Sequence, residues 1–462
     1  MIDPSQFSLD GRLYVARSQS ELLDSSQLML NSSAMSCLRF GTLFVLIAVR
    51  PRSSWNSVYC KAAGKRHASS LKINQDRLWN SLHYTAQWGA TPDGGVKRLT
   101  LTPEDKAVRE WFVEHVGEHG AETTIDKMGN LFAIRSGKNN DIPPIGIGSH
   151  LDTQPAGGRY DGILGVHAGI EVLRVLQENN YQTYAPLAVI NWMNEEGARF
   201  NTGMLASGVW SGQVDQDFAY ALRDADGKVF RDELSNIGFL GPVEASHKVN
   251  PLSAHFEYHI EQGPILEDEN RSIGIVTGVQ GMTWLIATVT GRCQHCGTTP
   301  MDRRSDALLA ASRMISRVNE IALQFGGLTT VGVMKSEPQS PGTIPGKVTF
   351  SIDLEHLENA QLDRMVEQTQ EDLSKIAGQH DTQVGFDQIW KSEAVSFDEN
   401  CISCVRDAAI SHVGADSCRE LPAGAGHDSV NTSYVCPTAM IFIPSKYGIS
   451  HHPSEYSRPE DW

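Results

Sequence analysis

Four short apolar runs in this chain each lead into side chains that bind cations or move protons. Ile145 to Gly148 precedes His150, and Leu187 to Trp192 precedes Glu195 and Glu196. Phe256 to Ile260 surrounds His259, and Met440 to Ile443 leads towards His451. Apolar runs of this length read as buried strands. Between the first two, Gly162 to Gln177 carries Leu164, Ala168, Val172 and Val175 or Leu176 at helical spacing. Strand, helix, strand in that order implies parallel strands joined by a right-handed crossover, hence an α/β fold with a mostly parallel sheet. Ligands of such sheets gather in the crevice beyond the carboxyl ends of the strands, where these residues fall.

The residue types suit a pair of divalent ions. Zinc takes imidazole nitrogen and carboxylate oxygen, and a catalytic site keeps a position open for water. Two ions about 3.5–4 Å apart share a bridging carboxylate. Asp161, at a Gly-Arg-Tyr-Asp-Gly turn, is placed to be that bridge. His150 and either His259 or His451 then divide between the ions, with Glu196 a further terminal ligand. Glu195 is left beside them, which suits a general base acting on water. Asp152, two residues past His150, is placed to accept the imidazole N–H and orient it. Each residue alone has a plainer reading as turn, cap or surface chemistry; their convergence on strand ends argues for a site.

The runs Ser149-His150-Leu151-Asp152-Thr153, Gly157 to Gly162, Asn194-Glu195-Glu196-Gly197, His259 to Pro264 and Gly291 to Met301 resemble the N-carbamoyl-amino-acid amidohydrolase family. That family includes allantoate amidohydrolase and the fungal type of β-ureidopropionase, within the wider aminoacylase and zinc carboxypeptidase group. The resemblance spans roughly residues 76 to 462. It implies a zinc-exopeptidase-like catalytic domain interrupted by a smaller lid domain that dimerises. It also implies two divalent ions per subunit, zinc or manganese, on His150, Asp161, Glu196, His259 and His451, with Glu195 as base.

Several further roles rest on the same resemblance. His295 is similar to the family histidine that reaches a neighbouring subunit's site and stabilises the oxyanion. Such a donor contributes about 3–4 kcal/mol to the transition state. Gln262 and His427 are candidate substrate contacts, with a supporting and a helix-capping role as their alternatives. Arg304 and Asp306 read as a structural pair at the start of a lid helix. Two positions depart from the family pattern. Gly342 stands where the family has Asn and Glu355 where it has Arg, the two side chains that clamp a substrate carboxylate. A carboxylate facing Glu355 is repelled rather than held.

The lid expectation also follows from periodicity. Strands are expected at 282–290, 329–334, 348–354 and 383–390, with helices at 306–325 and 359–376, an order βαββαβ that is the ferredoxin-like plan. The expected division is therefore a tail or targeting segment over 1–75, catalytic parts at 76–280 and 393–462, and a lid over 281–392. A chain of 462 residues is long for a single core, consistent with two domains.

Formal net charge is −16, although residues 25–75 hold seven Lys or Arg and no acid. The remaining body is more acidic still, which argues against nucleic acid or an anionic membrane as a partner, with solubility as the plainer reading of that acidity. The basic, Ser-rich leader resembles a mitochondrial presequence, with a secretory segment around Leu43 to Val49 or a plain tail as alternatives. That apolar run is too short to span a bilayer. Cys293-x-x-Cys296 and Cys401-x-x-Cys404 mimic a four-cysteine zinc site, but they lie too far apart for a zinc ribbon. Reduced thiols, and a mitochondrial or cytoplasmic setting, are the simpler expectation.

The reading is a di-metal amidohydrolase cleaving a linear, non-peptide C–N bond in a ureido or amide compound. Its rivals are an aminoacylase or dipeptidase of the same wider group, and a catalytically silent homologue.

Overall fold

The computed structural model describes residues 71–462. The leader lies outside the described residues apart from its last five positions. Asn74 N–H already donates to Glu171 at 2.8 Å, so the folded body begins at or before Asn74. Helices α1 (Gln75–Thr85), α2 (Pro103–Glu118) and α3 (Ile163–Glu178) start the body. Asn74 caps α1, and Thr102 caps α2 ahead of Pro103 in its first turn.

Six strands precede residue 281: β1 (Glu122–Ile125), β2 (Leu131–Arg135), β3 (Ile145–His150), β4 (Leu187–Trp192), β5 (Ala254–Ile260) and β6 (Ile273–Val279). The region 281–392 then contributes β7 (Gly281–Thr290), β8 (Gln294–His295), β9 (Leu328–Thr330), β10 (Met334–Glu337), β11 (Thr343–Ile344), β12 (Lys347–His356) and β13 (Gln383–Ser392). After it come β14 (Val395–Ser396), β15 (Cys418–Ala423) and β16 (Thr438–Ile443).

The large sheet runs β1-β2-β4-β3-β5-β16-β6-β14, with β15 also on β6. Its centre, β4-β3-β5-β16, is parallel, and the outer pairings β1/β2, β2/β4, β16/β6 and β14/β6 are antiparallel. All residues of β3, β4 and β5 are buried, as a sheet covered on both faces requires. After β3 the chain crosses through α3 to β4 on one side, while β5 lies on the other side of β3. The order reverses there, and the crevice at such a reversal is where a ligand site is expected. Close approach of α3 depends on Gly165, where a Cβ would lie 2.4 Å from the Tyr258 carbonyl oxygen.

The second sheet is built wholly from residues 281–392. It is antiparallel in the order β10-β12-β7-β13, with β9 beside β12, which is the ferredoxin-like arrangement. Helices Ala307–Phe325 and Asn359–Gln379 supply the core that covers one face. The strand expected over 329–334 is interrupted, with β9 and β10 on either side of residues 331–333. Gly332 lies in the gap, and Ser351 bonds Val333 through both its N–H and its hydroxyl, each at 3.0 Å. Arg304 and Asp306 do not pair with each other. Arg304 donates to the Cys296 and Thr299 carbonyls, and Asp306 caps the helix Ala307–Phe325 through Leu308 and Leu309. Among the described residues no helix is long and apolar enough to cross a membrane.

Candidate metal centre and active site

The strand ends bring the expected residues together. His150 is the last residue of β3, His259 lies near the end of β5, and His451 sits in the loop beyond β16. Asp161 occupies the turn before α3, where Gly162 has φ +68° and a Cβ on it would lie 2.1 Å from His150 Nε2. Only glycine allows that imidazole to approach. Asp161 Oδ1 lies 3.1 Å from His259 Nε2 and 3.8 Å from His150 Nε2. Its other oxygen, Oδ2, lies 3.2 Å from His451 Nε2, which is 3.5 Å from Glu196 Oε2. The donor atoms of His150, Asp161 and His259 lie within 4.8 Å of one another, as do those of Asp161, Glu196 and His451. So His259 goes with His150, and His451 with Glu196. Two imidazole–carboxylate groups sharing one aspartate fit a pair of divalent ions by donor type and separation.

Main-chain carbonyls set the ring tautomers. His150 Nδ1 faces the Asp152 carbonyl at 2.9 Å, and His259 Nδ1 faces the Ile260 carbonyl at 2.8 Å. A carbonyl can only accept, so each Nδ1 carries a proton and each ring turns Nε2 towards Asp161. The expected role of the Asp152 carboxylate thus passes to its own backbone, because the side chain lies 3.8 Å from the ring. Asp152 Oδ2 instead accepts from Glu196 N–H at 3.4 Å.

Burial, foremost, pushes the His150 pKa down to about 4, which keeps it in the neutral, ligating form. Burial also works against charge on His259 and His451, but hydrogen bonds and proximity to Asp161 raise both to about 9. Glu196 is raised to about 8 by burial and then by Asp161. Glu195 is raised well above the usual carboxylate range by burial and then by Asp428, Glu196, Asp152 and Asp161. Its Oε2 lies 3.5 Å from His150 Nε2. This is a crowded acid cluster with too little positive charge, the electrostatic signature of a cation site.

Gln262 Nε2 donates to Asp161 Oδ2 at 2.7 Å and to Ser450 at 3.2 Å, while its buried Oε1 has no protein partner. His427 is 2 % exposed, its ring centroid is 4.5 Å from that of His259, and its Nε2 has no protein partner. It precedes the helix Asp428–Ser433 but makes no side-chain cap there, so the capping alternative is not met.

Three residues escaped the sequence reading. Glu455 accepts from the N–H groups of Tyr160 at 2.9 Å and Asp161 at 3.1 Å, and from the Ser450 hydroxyl at 3.0 Å. Glu257, two residues before His259 on the same buried face of β5, accepts from Ser149 and Ser429 at 2.7 Å each. Asp428 bonds Ser207 and leaves Oδ2 without a partner. The one available signal was the pattern His255-x-Glu257-x-His259, polar residues alternating within a buried strand.

The candidate residues within 281–392 stand apart from this cluster. His295 is exposed, and its Nδ1 accepts from Gly297 N–H at 3.1 Å and Thr298 N–H at 3.3 Å, leaving Nε2–H as a free donor. The Gly342 carbonyl accepts from Cys296 N–H at 3.2 Å, with open space where a side chain would project. Glu355 accepts from Gln280, which also donates to the Gly424 carbonyl at 2.7 Å. Burial and then Asp353 raise Glu355 to about 8. Cys293, Cys296, Cys401 and Cys404 belong to none of the donor groups found among the described residues, and the buried Cys401 thiol is pushed up to about 12.

Fold and site together define a metal-dependent hydrolase. Residues 146–462 match the peptidase family M20/M25/M40, and the chain belongs to that family. It is 43 % identical over 390 residues to an N-carbamoyl-L-amino-acid amidohydrolase of Rhizobium meliloti, covering 83 % of this chain and 92 % of that protein. It is 34 % identical over 388 residues to an allantoate amidohydrolase of Bacillus subtilis, covering 83 % and 93 %. An amidase of the hydantoinase/carbamoylase family from Burkholderia vietnamiensis has a crystal structure that superposes with a TM-score of 0.79 at 42 % identity, over 85 % of this chain and 94 % of that one. Within its family the chain is thus an amidohydrolase.

The raised pKa values fix a sign. Glu196 at about 8, Asp152 and Glu455 at about 7, and His259 and His451 at about 9 all mean that the folded chain without ions holds protons the unfolded chain releases. Stability is then lost as pH rises through these values. Chelator-stripped protein is expected to melt at progressively lower temperature between about pH 6.5 and 8.5, and reloading with divalent ions should flatten or reverse the slope. A stripped protein that gains stability over this window contradicts the charge balance described.

Proposed function

We propose that this chain hydrolyses a linear ureido or amide C–N bond in a small molecule, with Glu195 as general base and a substrate whose far end is uncharged. The observation that carries the reading is the Glu195 carboxyl, buried 3.5 Å from His150 Nε2, beside two donor groups that share Asp161. A pair of divalent ions, zinc or manganese, held by His150, Asp161, Glu196, His259 and His451, would polarise the substrate carbonyl and acidify a water.

Glu195 takes a proton from the attacking water as its oxygen adds to the carbonyl carbon. Protonated Glu195 then passes that proton to the leaving nitrogen. Nε2–H of His295 donates to the oxyanion, acting on the partner's site in a dimer formed through the lid. Support for that arrangement is its exposure, its fixed tautomer, and exposed apolar residues on the same region, Met301, Leu309, Leu323 and Val333. Gln262 Oε1 accepts from a substrate N–H, and His427 lines the same pocket. Cleavage of a ureide consumes one water and yields the amine and carbamate, which breaks down to ammonia and carbon dioxide.

Specificity turns on Gly342 and Glu355. With a pKa of about 8, Glu355 is largely protonated at neutral pH. The position therefore offers a carboxylate no cation, rather than the full repulsion a charged Glu would give. A neutral substrate end hydrogen-bonded by Glu355 and Gln280 suits it best.

Two outcomes test this reading. Glu195→Gln should lose turnover and keep its ions. Mixing it with inactive His295→Ala subunits should restore part of the activity, since one hybrid site is complete; no recovery despite proven subunit exchange removes the role in trans. In a panel of ureides, amides and dipeptides, neutral ureides or amides should be preferred over carboxylate-bearing ones. Gly342→Asn with Glu355→Arg should improve the latter about a hundredfold, equivalent to about 2.7 kcal/mol of transition-state binding. Efficient turnover of carboxylate ureides by the unmodified enzyme, or a preference for dipeptides, contradicts the assignment.

A further inference from the structure

A second cluster of metal-ligand side chains lies away from the shared aspartate, on the last turn of α2. One donor atom each from His115, Glu118 and His119 falls within 4.8 Å of the others. His115 Nδ1 is 3.3 Å from Glu118 Oε2. With metal–donor bonds of about 2.0–2.2 Å, tetrahedral ligand atoms sit about 3.3–3.5 Å apart, a separation the His115–Glu118 pair already has.

Both imidazoles are held in the form that ligates. Burial, and then Arg174, lower the His115 pKa and keep the ring neutral, while Trp111 stacks against it at 4.8 Å. Gln177 donates through Nε2 to the Glu118 carbonyl at 3.2 Å, so its Oε1 is the atom 2.8 Å from His119 Nδ1. An amide oxygen can only accept, hence Nδ1 carries the proton and Nε2 the lone pair. A ligating histidine is commonly held by its other nitrogen in this way.

That lone pair already faces a cation, for Arg174 Nε donates to His119 Nε2 at 3.0 Å. The helix C-terminus, where unpaired carbonyls carry partial negative charge, favours positive charge at this point. An adjoining cavity of about 780 Å³, lined among others by Trp111, His115, Glu118 and Arg174, leaves room for waters to complete a coordination sphere.

We propose that His115, Glu118 and His119 form a separate binding site for one late first-row divalent ion, of the Zn²⁺, Ni²⁺ or Cu²⁺ class, with Arg174 as a built-in competitor for His119. Two imidazoles and one carboxylate select that class over Mg²⁺ or Ca²⁺. The ion replaces the Arg174 hydrogen bond on Nε2 and ties together the last turn of α2. This site is independent of the activity proposed above.

The test is calorimetric titration of the holoenzyme, its catalytic ions loaded, with Ni²⁺ alone. One further equivalent is expected. His115→Ala and His119→Ala should each weaken it about 10–100-fold, and Glu118→Gln should weaken it less. Arg174→Met should tighten it by removing the competitor. Turnover should be unchanged in the His115, His119 and Glu118 variants. Identical Ni²⁺ stoichiometry and affinity in the unmodified protein, His115→Ala and the exposed Glu118→Gln would overturn the proposal. So would Arg174→Met binding no more tightly while it remains folded.

Discussion

The carboxylate of Asp161 faces His150 and His259 with one oxygen and His451 with the other, and much of the surrounding structure holds it there. Its N–H is bound by Glu455, its Oδ2 by Gln262 and Ser450, and the following residue must be glycine for His150 to approach. Glu455 also binds Ser450, so the loop carrying His451 and the turn carrying Asp161 are tied by the same side chain. Removing one of these contacts leaves a buried carboxylate with fewer donors, which is costly in a site this acidic. The proximity of Glu195, Glu196, Asp152 and Asp428 is tolerable only because protons or cations offset their charge.

That arrangement depends on the order of the strands. Because β4 and β5 flank β3 on opposite sides, their carboxyl ends converge with that of β3 over one crevice. The runs in β3 and β4 were readable because a parallel strand buried on both faces is near-continuously apolar, whereas β5 alternates His255, Glu257 and His259 with apolar residues. A ligand at the end of such a run is conspicuous. His150 and Glu196 stood out as candidates for this reason, and Asp161 for its place in a turn before a helical pattern; the structure brings all three near His259 and His451. What sequence left open, which histidine accompanies His150, depended on the place of β5 beside β3 and on the path of the loop beyond β16.

The misses have equally local causes. Glu455 acts on backbone N–H groups nearly three hundred positions away, a contact no periodicity encodes. Asp152 was expected to orient His150 with its carboxylate, yet the main chain turns so that the carbonyl does so. Arg304 and Asp306 are near in sequence, but each finds a backbone partner, a carbonyl for one and helix N–H groups for the other. The interrupted strand at 331–333 reflects Gly332 and an exposed Val333, which a hydrophobicity pattern reads as continuous. Glu355 shows how environment changes meaning: as sequence it reverses a charge, whereas burial and then the neighbouring Asp353 raise its pKa to about 8.

The central claim is that one aspartate serves two ions, and elemental analysis of Asp161→Asn tests it most directly. The unmodified protein, purified under metal-replete conditions, should carry two divalent ions per subunit. The account predicts that the variant, confirmed to be folded, loses both together, because an amide supplies neither the charge nor the second anionic oxygen that a bridge requires. A folded variant that keeps one ion at full occupancy, or an unmodified protein that holds only one, would contradict it.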